Sequence, residues 1–388
     1  MQIADRMKNL GTETAFEVLA KAKALEAQGK SIIHLEIGEP DFDTPSNVKE
    51  AGIDAIRRNF THYGPSAGMP DARRAVAEYS GKIRGIEISP DEVVIVPGGK
   101  PIMFYAILAI ANPGDEIIYP NPGFPIYESM INFVGAKAVP LHLKEENDFS
   151  FKTQDLEKLV TPKTKMIIIN SPANPTGGIL EKADLVGIAR IAIEHNLWVL
   201  SDEIYQQITY GKEHNSIASL PGMKERTIIL DGFSKAYAMT GWRLGYGIMN
   251  KALAPHITRL MTNSNSCTAS FTQMAGAAAL RGPQDFVVKM REEFHKRRDL
   301  IVNGLNKIPG FSCRMPHGAF YVFPNIKKTG RTSQQMSDYL LHEAGVACLP
   351  GTSFGAFGEG YLRFSYANSQ DNIREALRRI TEAVKKMK

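Results

Sequence analysis

Short apolar segments alternate with helical patterns through the middle of this 388-residue chain, and this alternation is the feature that most constrains its fold. Strands that are buried on both faces of a parallel sheet have such continuous apolar character. The pattern therefore predicts an α/β fold over about residues 46–285, with a mostly parallel sheet flanked by helices. The apolar segments, each followed by turn-forming residues, are 92–96, 116–119, 165–170, 197–200 and 227–230.

The pattern changes after Pro283. A charged helical stretch over 285–307 precedes short alternating strands at 320–323 and 362–366, and the chain ends in a further helical pattern. Strands and helices that are segregated in this way predict a second, smaller α+β domain.

The N-terminal residues combine an amphipathic helix over 15–28 with a strand and a Gly/Pro/Asp turn over 32–45. We expect this segment to complete the smaller domain. The expected division is 1–45 for an arm and part of the small domain, 46–285 for the large domain, and 286–388 for the C-terminal small domain.

The charge and the cysteine content of the chain argue against several classes of protein. The 46 basic and 41 acidic side chains are interspersed and leave a net charge of +5, so neither nucleic acid nor membrane is expected as a partner. Cys267, Cys313 and Cys348 are too widely spaced to indicate a disulfide framework. The longest apolar run, 102–111, is too short to span a bilayer, and the N-terminus lacks the apolar core of a signal peptide. We expect a cytoplasmic protein.

The stretch from Asp231 to Gly247 reads D-G-F-S-K-A-Y-A-M-T-G-W-R-L-G-Y-G and follows one of the apolar segments. Gly232 would permit a turn. Ser234 and Lys235 stand together after it, and Arg243 opens a second strand-like run. Serine and arginine suit a phosphate, and a lysine beside them becomes a nucleophile if desolvation or a nearby cation, here Arg243, lowers its pKa. The ordinary alternative is a solvated loop with surface charges.

The segment S-K-x-x-x-M-T-G-W-R-L-G-Y resembles the lysine region of the class I/II aminotransferases, the fold-type I enzymes that use pyridoxal 5′-phosphate (PLP). The resemblance implies the PLP-dependent transferase fold of type I. It also implies that Lys235 forms the Schiff base with PLP, and that Ser234 and Arg243 hold the cofactor phosphate. Other motifs of the family follow in the family's order from Gly38 to Arg363.

Two loops carry further motifs of a phosphate site. The run P-G-G-K-P at 97–101 opens a helix, whose N-terminus would bind phosphate, although paired glycines alone are more typical of a cap. The resemblance assigns Gly99 and Lys100 to the cofactor phosphate. It assigns Tyr63, in T-H-Y-G-P-S-A-G-M-P-D-A-R, to the cofactor of a partner subunit, although Ala72 stands where leucine is usual. Tyr63 therefore predicts a homodimer with shared active sites.

Polar residues follow two other apolar segments: Asn174 in S-P-A-N-P-T-G-G, and Asp202 and Tyr205 in S-D-E-I-Y. An amide can bind a phenolate oxygen, and a buried carboxylate can keep a pyridine nitrogen protonated, whereas an aspartate at a strand end is more often a helix cap. The resemblance implies that Asp202 partners the pyridine nitrogen and that Asn174 and Tyr205 bind the 3′-oxygen. Asp202 and Lys235 are 33 residues apart, which leaves room for one helix and a strand.

Four residues are candidates for contacting a substrate. Arg363, in Y-L-R-F-S-Y-A, would be a surface cation on burial statistics, but the resemblance implies that it binds the substrate carboxylate. Gly38, in G-E-P-D-F-D-T-P, is expected near the substrate or is simply a turn glycine. Phe124 stands where the family often has a tryptophan over the cofactor, and the alternative for it is a core position. Asn174 is expected to border the substrate as well.

These residues predict an aminotransferase that moves an amino group between an L-amino acid and a 2-oxo acid by a ping-pong PLP mechanism, with Lys235, Asp202 and Tyr205 as its catalytic set. A PLP-dependent lyase or synthase would use the same cofactor residues, and a non-catalytic effector-binding module is a further alternative. Aspartate, an aromatic or another common amino acid is the expected substrate, since the second cation that a dicarboxylate needs is not identifiable from the sequence. No metal is expected, because the pair His342-Glu343 lacks the second histidine of a zinc motif.

Overall fold

The computed structural model of the protein describes residues 2–387. Over this range, no helix has the length together with the apolar character that a membrane span requires. The strands are β1 (Ile33–His34), β2 (Val93–Val96), β3 (Glu116–Asn121), β4 (Lys137–His142), β5 (Thr164–Asn170), β6 (Trp198–Asp202), β7 (Thr227–Gly232), β8 (Gly245–Ile248), β9 (Tyr321–Val322), β10 (Val346–Ala347), β11 (Leu349–Pro350) and β12 (Leu362–Ser365). The α-helices are α1 (Ala15–Glu26), α2 (Ser46–Arg57), α3 (Pro70–Arg84), α4 (Lys100–Ile110), α5 (Ile126–Phe133), α6 (Thr153–Glu157), α7 (Lys182–Glu194), α8 (Ala254–Asn265), α9 (Ser270–Arg281), α10 (Asp285–Leu305), α11 (Ser333–Tyr339) and α12 (Gln370–Lys386).

Within the described residues, the central sheet has seven strands in the order β2-β8-β7-β6-β5-β3-β4. The strands β3 to β7 run parallel to one another, and β8 is antiparallel to both β7 and β2. This is the mostly parallel sheet that the alternating apolar segments predict, so the predicted fold class is confirmed.

Helices cover both faces of this sheet, so the side chains on both faces of β2 are buried. Val94 and Val96 pack into the core that the sheet forms with α4, α5 and α8. Val93 and Ile95 pack into the opposite core, formed with α2, α3 and α9. All four side chains are at most 2% exposed, which explains why this strand is apolar at every position.

A smaller antiparallel sheet, β11-β12-β9, lies in the C-terminal part of the chain, where α10 packs against α12. The strand β1 pairs in parallel with β10, so the N-terminal segment adds to these C-terminal elements. Leu35, Phe294 and Phe364 share one buried core there. The domain boundaries at 45 and 285 stay predictions.

Three local features differ from expectation. The strand expected within 32–45 is limited to β1. The described residues between β6 and β7 form two 3₁₀ turns, Ile217–Ser219 and Lys224–Arg226, in place of the expected helix. Gly232 ends β7, and a Cβ atom on it would lie 2.9 Å from the Cα of Gly245. Glycine is therefore required at this position because β8 approaches β7 closely, and not because the chain turns there.

Candidate active site

Neighbouring strands of the central sheet end together at the edge where the candidate residues lie. β5 ends at Asn170 and β6 at Asp202, which are partners in register, and β7 ends at Gly232, shortly before Lys235. Open α/β sheets bind ligands outside the carboxyl ends of their strands. A cavity of about 510 Å³ lies at this position.

The cavity brings together all of the sequence-predicted site residues except Tyr63. Tyr63 is not part of the cavity wall in this chain and is 91% exposed, so its assignment to a partner subunit's site stays a prediction. The predicted residues that line the cavity are Gly38, Gly99, Lys100, Phe124, Asn174, Asp202, Tyr205, Ser234, Lys235, Arg243 and Arg363.

Lys235 lies on the cavity wall, and its Nζ donates a hydrogen bond of 2.5 Å to the carbonyl oxygen of Gly38. Burial lowers the pKa of Lys235 to about 8, although the carboxylate of Glu39 opposes the change. Among the nearby cations Arg363 lowers this pKa most, rather than the predicted Arg243. A larger fraction of the amine is therefore unprotonated at neutral pH, and available as a base and nucleophile, than in a solvated lysine.

Asp202 is 5% exposed, and the hydroxyl of Tyr127 donates a hydrogen bond of 2.7 Å to its Oδ2. The backbone N–H of Ile204 donates to Oδ1 at 3.3 Å. Burial raises the pKa of Asp202 to about 6, while the Tyr127 and Ile204 hydrogen bonds act in the opposite direction. The side chain lines the cavity, and the next helical element in the chain begins only at Ile217, so the alternative of a helix cap does not describe it.

Arg363 is only 4% exposed, which makes the alternative of a surface cation wrong. Its Nη1 donates to the side-chain oxygen of Asn174 at 3.2 Å, and its Nη2 donates to the backbone carbonyl of Glu36. The guanidinium lies 4.5 Å from the ring centroid of Tyr321 and 5.0 Å from that of Phe354. Its Nε is buried and has no hydrogen-bond partner among the described residues.

A pair of tyrosines connects this arginine to the rest of the cavity. The hydroxyls of Tyr205 and Tyr321 lie 2.8 Å apart, and both side chains are buried. A Cβ atom on Gly38 would collide with the Tyr321 hydroxyl. Gly38 is therefore required by a close approach at the cavity wall, and its backbone does not adopt the positive φ of a turn glycine.

Gly98, Gly99, Ser234 and Arg243 form a cradle at the N-terminus of α4. Gly98 has φ +81°, and a Cβ atom on it would occupy the space of the Arg243 guanidinium. Gly99 is the N-cap of α4, so backbone N–H groups of the first helical turn are free of intrahelical partners. A helix N-terminus, a hydroxyl and a guanidinium are suitable ligands for a phosphate.

The sequence comparisons identify the family to which this arrangement belongs. The family described as aminotransferase class I and II matches residues 30–380. The chain belongs to the class I and II aminotransferases. An aspartate aminotransferase from Pyrococcus abyssi is 43% identical over 363 residues, which are 92% of this chain and 93% of that protein. Aromatic-amino-acid aminotransferase 2 from Thermococcus litoralis is 40% identical, with 100% of both chains covered.

Solved structures agree with this assignment. The structure of aspartate aminotransferase from Thermus thermophilus with maleate has a TM-score of 0.95 and 36% identity to this aminotransferase. The match covers 99% of this chain and 100% of the other chain. The predicted family, its fold type and its enzyme class are thus confirmed. Members of the family are PLP enzymes. The roles of the individual residues stay predictions.

Two contacts of this aminotransferase could not be predicted from single motifs. Tyr127 ends the quoted motif N-P-G-F-P-I-Y, but its contact with Asp202 joins positions 75 residues apart. At the mouth of the cavity, the ammonium of Lys100 lies 5.6 Å from the ring centroid of Phe124 and forms an ion pair with Glu13. Phe124 is partly exposed and lines the cavity, so a purely core position is wrong for it.

Proposed function

We propose that this aminotransferase binds PLP and exchanges an amino group between an L-amino acid and a 2-oxo acid. One observation carries the proposal: a single cavity contains the lysine with a lowered pKa, the buried carboxylate and the buried arginine. These are Lys235, Asp202 and Arg363. Each provides a different part of the chemistry, and a cavity with only a structural role would not need all three.

The residues present fit the proposed cofactor. The cradle of Gly98, Gly99, Ser234 and Arg243 suits its phosphate, and the absence of a Cβ atom at Gly98 is what admits the guanidinium there. Asp202 would pair with the ring nitrogen. The hydroxyl of Tyr205 and the Nδ2 amide of Asn174 would donate to the 3′-oxygen, and Phe124 and Lys100 border the same space. When bound, PLP supplies a carbonyl that captures an amine and a ring that withdraws electrons from the substrate Cα.

The chain's own residues would bind the substrate and move its proton. Arg363 holds the α-carboxylate, because its guanidinium lines the cavity and is oriented there by Asn174 and Glu36. Gly38 lines the same cavity, and its lack of a Cβ atom admits the hydroxyl of Tyr321 there. The Nζ of Lys235, with a pKa of about 8, can accept the proton from the substrate Cα and return it to a neighbouring carbon.

The substrate class follows from what surrounds the position of the substrate side chain. Phe16, Phe124 and Met103 offer apolar contacts, whereas Lys100 offers a cation that Glu13 already pairs. Relatives of this chain are named for aspartate and for aromatic amino acids. We infer that the enzyme accepts aromatic and dicarboxylic amino acids, and that the state of the Lys100–Glu13 pair sets their relative rates.

Two further properties belong to the proposal. A homodimer with shared sites is supported by the family motif that contains Tyr63, and its side chain, 91% exposed in the single chain, is accessible to a second chain. A cytoplasmic location is supported by Cys267, Cys313 and Cys348, which form no disulfide with one another.

The test incubates the purified protein with PLP, an amino acid and a 2-oxo acid. We expect amine exchange between the two acids and an absorbance band of the protein-bound cofactor, and Lys235→Ala should lose both. Unchanged turnover in Lys235→Ala would refute the proposal. Release of ammonia or a thiol without amine exchange would favour a lyase instead.

A further inference from the structure

Two buried carboxylates lie next to the proposed cofactor residues but do not line the cavity. Glu203 follows Asp202 directly and is 0% exposed. Asp231 is 3% exposed and shortly precedes Ser234 and Lys235. A buried carboxylate without compensation costs several kcal/mol, so the chain must provide a partner for each of them.

Arg84 is that partner for both carboxylates. It is the last residue of α3 and is 7% exposed. Its Nε donates to Glu203 Oε2 at 2.8 Å and its Nη2 donates to Asp231 Oδ2 at 2.7 Å. The planar guanidinium therefore fixes the end of β6 relative to the end of β7. Asp202 is the last residue of β6, and Lys235 follows β7 by three residues.

The remaining groups around the two carboxylates are mostly uncharged donors. His214 is the exception, since its Nε2 lies 3.1 Å from Glu203 Oε2 and carries charge only when protonated. The Nη1 of Arg84 and the Nδ1 of His214 have no partner among the described residues. The uncharged donors are Ser201 and Ser216 to Glu203, and Tyr246 and the Gly232 N–H to Asp231.

The charges of these two carboxylates also act on Asp202. Its pKa is raised first by burial and then by the charges of Asp231 and Glu203, whereas Tyr127 opposes the rise. Burial would raise the pKa of Glu203 too, but Arg84 holds it well below its ordinary value. Without Arg84, three neighbouring carboxylates would share one buried region, and protons would bind to them at a higher pH.

We propose that Arg84 is a positioning residue of the active site, which holds Glu203 and Asp231 in place and balances their charges so that Asp202 stays an anion toward the cofactor ring. The inference rests on the proposed PLP chemistry. A purely structural role would be different: Arg84 would then only connect α3 to two strand ends, and its loss would lower stability without changing any protonation in the site.

The experiment compares the wild type, Arg84→Met and Arg84→Met/Asp231→Asn as PLP-loaded enzymes. For Arg84→Met we expect the acid limb of kcat/KM against pH to move up by about one pH unit, so that activity falls about fivefold near pH 6 and is regained near pH 8. The double variant lacks one of the uncompensated charges and should return the limb toward the wild-type position. An acid limb that does not move in Arg84→Met, while its melting temperature falls, would overturn the proposal.

A second measurement uses the same chains without cofactor. In Arg84→Met the unpaired carboxylates have raised folded-state pKa values, so the stability that protonation provides is present at low pH and lost as the pH rises through those values. We expect its melting temperature to fall by about 4–6 °C more than that of the wild type between pH 5 and pH 8. Arg281→Met removes an arginine–aspartate pair whose side chains are 43% and 45% exposed, and it should show no such dependence.

Asp231→Asn keeps the inference testable if Arg84→Met does not fold. It leaves Arg84 facing Glu203 alone, so the acid limb should move down from its wild-type position, and a limb that moves up would contradict the proposal. Failure of the proposed function would be visible in the wild type itself, as absence of PLP binding or amine exchange. Failure of the present inference would be confined to the variants of an active enzyme.

Discussion

The hydroxyl of Tyr127 donates to Asp202 Oδ2 at 2.7 Å, and both side chains are buried. Phe124 precedes Tyr127 by three residues and lies on the cavity wall, and the two rings meet edge to face with centroids 5.8 Å apart. One short motif therefore provides both an apolar surface inside the cavity and a hydrogen-bond donor behind its carboxylate. The donor favours the ionised form of Asp202, which burial disfavours.

Tyr127→Phe should lower kcat by about tenfold, because a hydrogen bond to a charged group contributes about 1.5 kcal/mol or more and its loss raises the pKa of Asp202 further. The loss should be larger at pH 6 than at pH 8. Steady-state kinetics at both pH values measure this. Tyr105→Phe removes a hydroxyl that contacts Asn265, which is not part of the cavity wall, and is the matched control. Equal losses at both pH values would contradict the electrostatic role of Tyr127.

Asp202→Asn should abolish amine exchange but stabilise the cofactor-free protein at pH 8. The folded-state pKa of Asp202 is about 6, above its unfolded value, so its contribution stabilises the fold below the unfolded pKa and is lost as the pH rises through 6. At pH 8 the buried anion costs about 2–3 kcal/mol, which the amide avoids. Denaturant unfolding at pH 4 and pH 8 should show a gain only at pH 8.

The matched control for that prediction is Asp43→Asn, since the Asp43 side chain is 97% exposed. We expect no pH-dependent change in its unfolding free energy. An equal gain in unfolding free energy for Asp202→Asn at both pH values would mean that burial does not raise the pKa of this carboxylate.

Arg363→Lys should raise KM for the amino acid by about 30- to 100-fold and change kcat less. Lysine keeps the charge but cannot make the contacts to Asn174 and Glu36 while binding a carboxylate, and a charge-assisted forked contact contributes about 2–3 kcal/mol. Initial rates over a range of amino acid concentrations separate the two constants. Arg281→Lys, at an exposed ion pair, is the control. A fall in kcat with KM unchanged would argue against carboxylate binding by Arg363.

Much of the site could be predicted because its parts are local. Asp202 ends one short strand and Lys235 follows the next, and the strand order brings the ends of β6 and β7 to one edge. The contacts that hold these parts could not be predicted, because they join remote positions. Arg84 and Glu203 are 119 residues apart. Hydrophobic periodicity in the sequence indicates which face of a helix or strand is buried, but it does not indicate which remote side chain packs against that face.

Two wrong expectations have the same physical origin. Gly232 was expected to permit a turn, but it is needed where β8 approaches β7. Arg243 was expected to lower the pKa of Lys235, but the remote Arg363 acts more strongly. In both cases the interpretation used neighbours in sequence, whereas packing and electrostatics depend on neighbours in space.

Glu13→Gln should raise kcat/KM for aspartate relative to phenylalanine by about five- to tenfold. Glu13 pairs with Lys100 at the cavity mouth, and releasing that cation for a side-chain carboxylate changes the preference by about 1 kcal/mol. Lys100→Met should shift the ratio in the opposite direction. The ratio is measured with one 2-oxo acid for both donors. A change of the same sign in both variants would indicate that the pair only shapes the entrance.

Tyr63 provides a test of shared active sites. Its ring is 91% exposed in the single chain, so a substitution there should not lower the stability of the chain, yet we expect Tyr63→Ala to weaken PLP binding by about tenfold. The decisive measurement mixes Tyr63→Ala with Lys235→Ala, which is inactive. If each site uses Tyr63 from one subunit and Lys235 from the other, one site of every mixed dimer has both defects and the other site has neither.

The mixed dimer should therefore regain close to half of the wild-type activity at a PLP concentration where Tyr63→Ala alone is poorly loaded. If both residues of a site came from the same chain, each site of the mixed dimer would carry one defect, and mixing would restore nothing. The control mixture uses Tyr361→Phe in place of Tyr63→Ala. This substitution removes a hydroxyl that contacts Glu145 and is not part of the cavity wall. Full activity of a monomer in light scattering would contradict shared sites independently, since no second chain would then be present to contribute Tyr63.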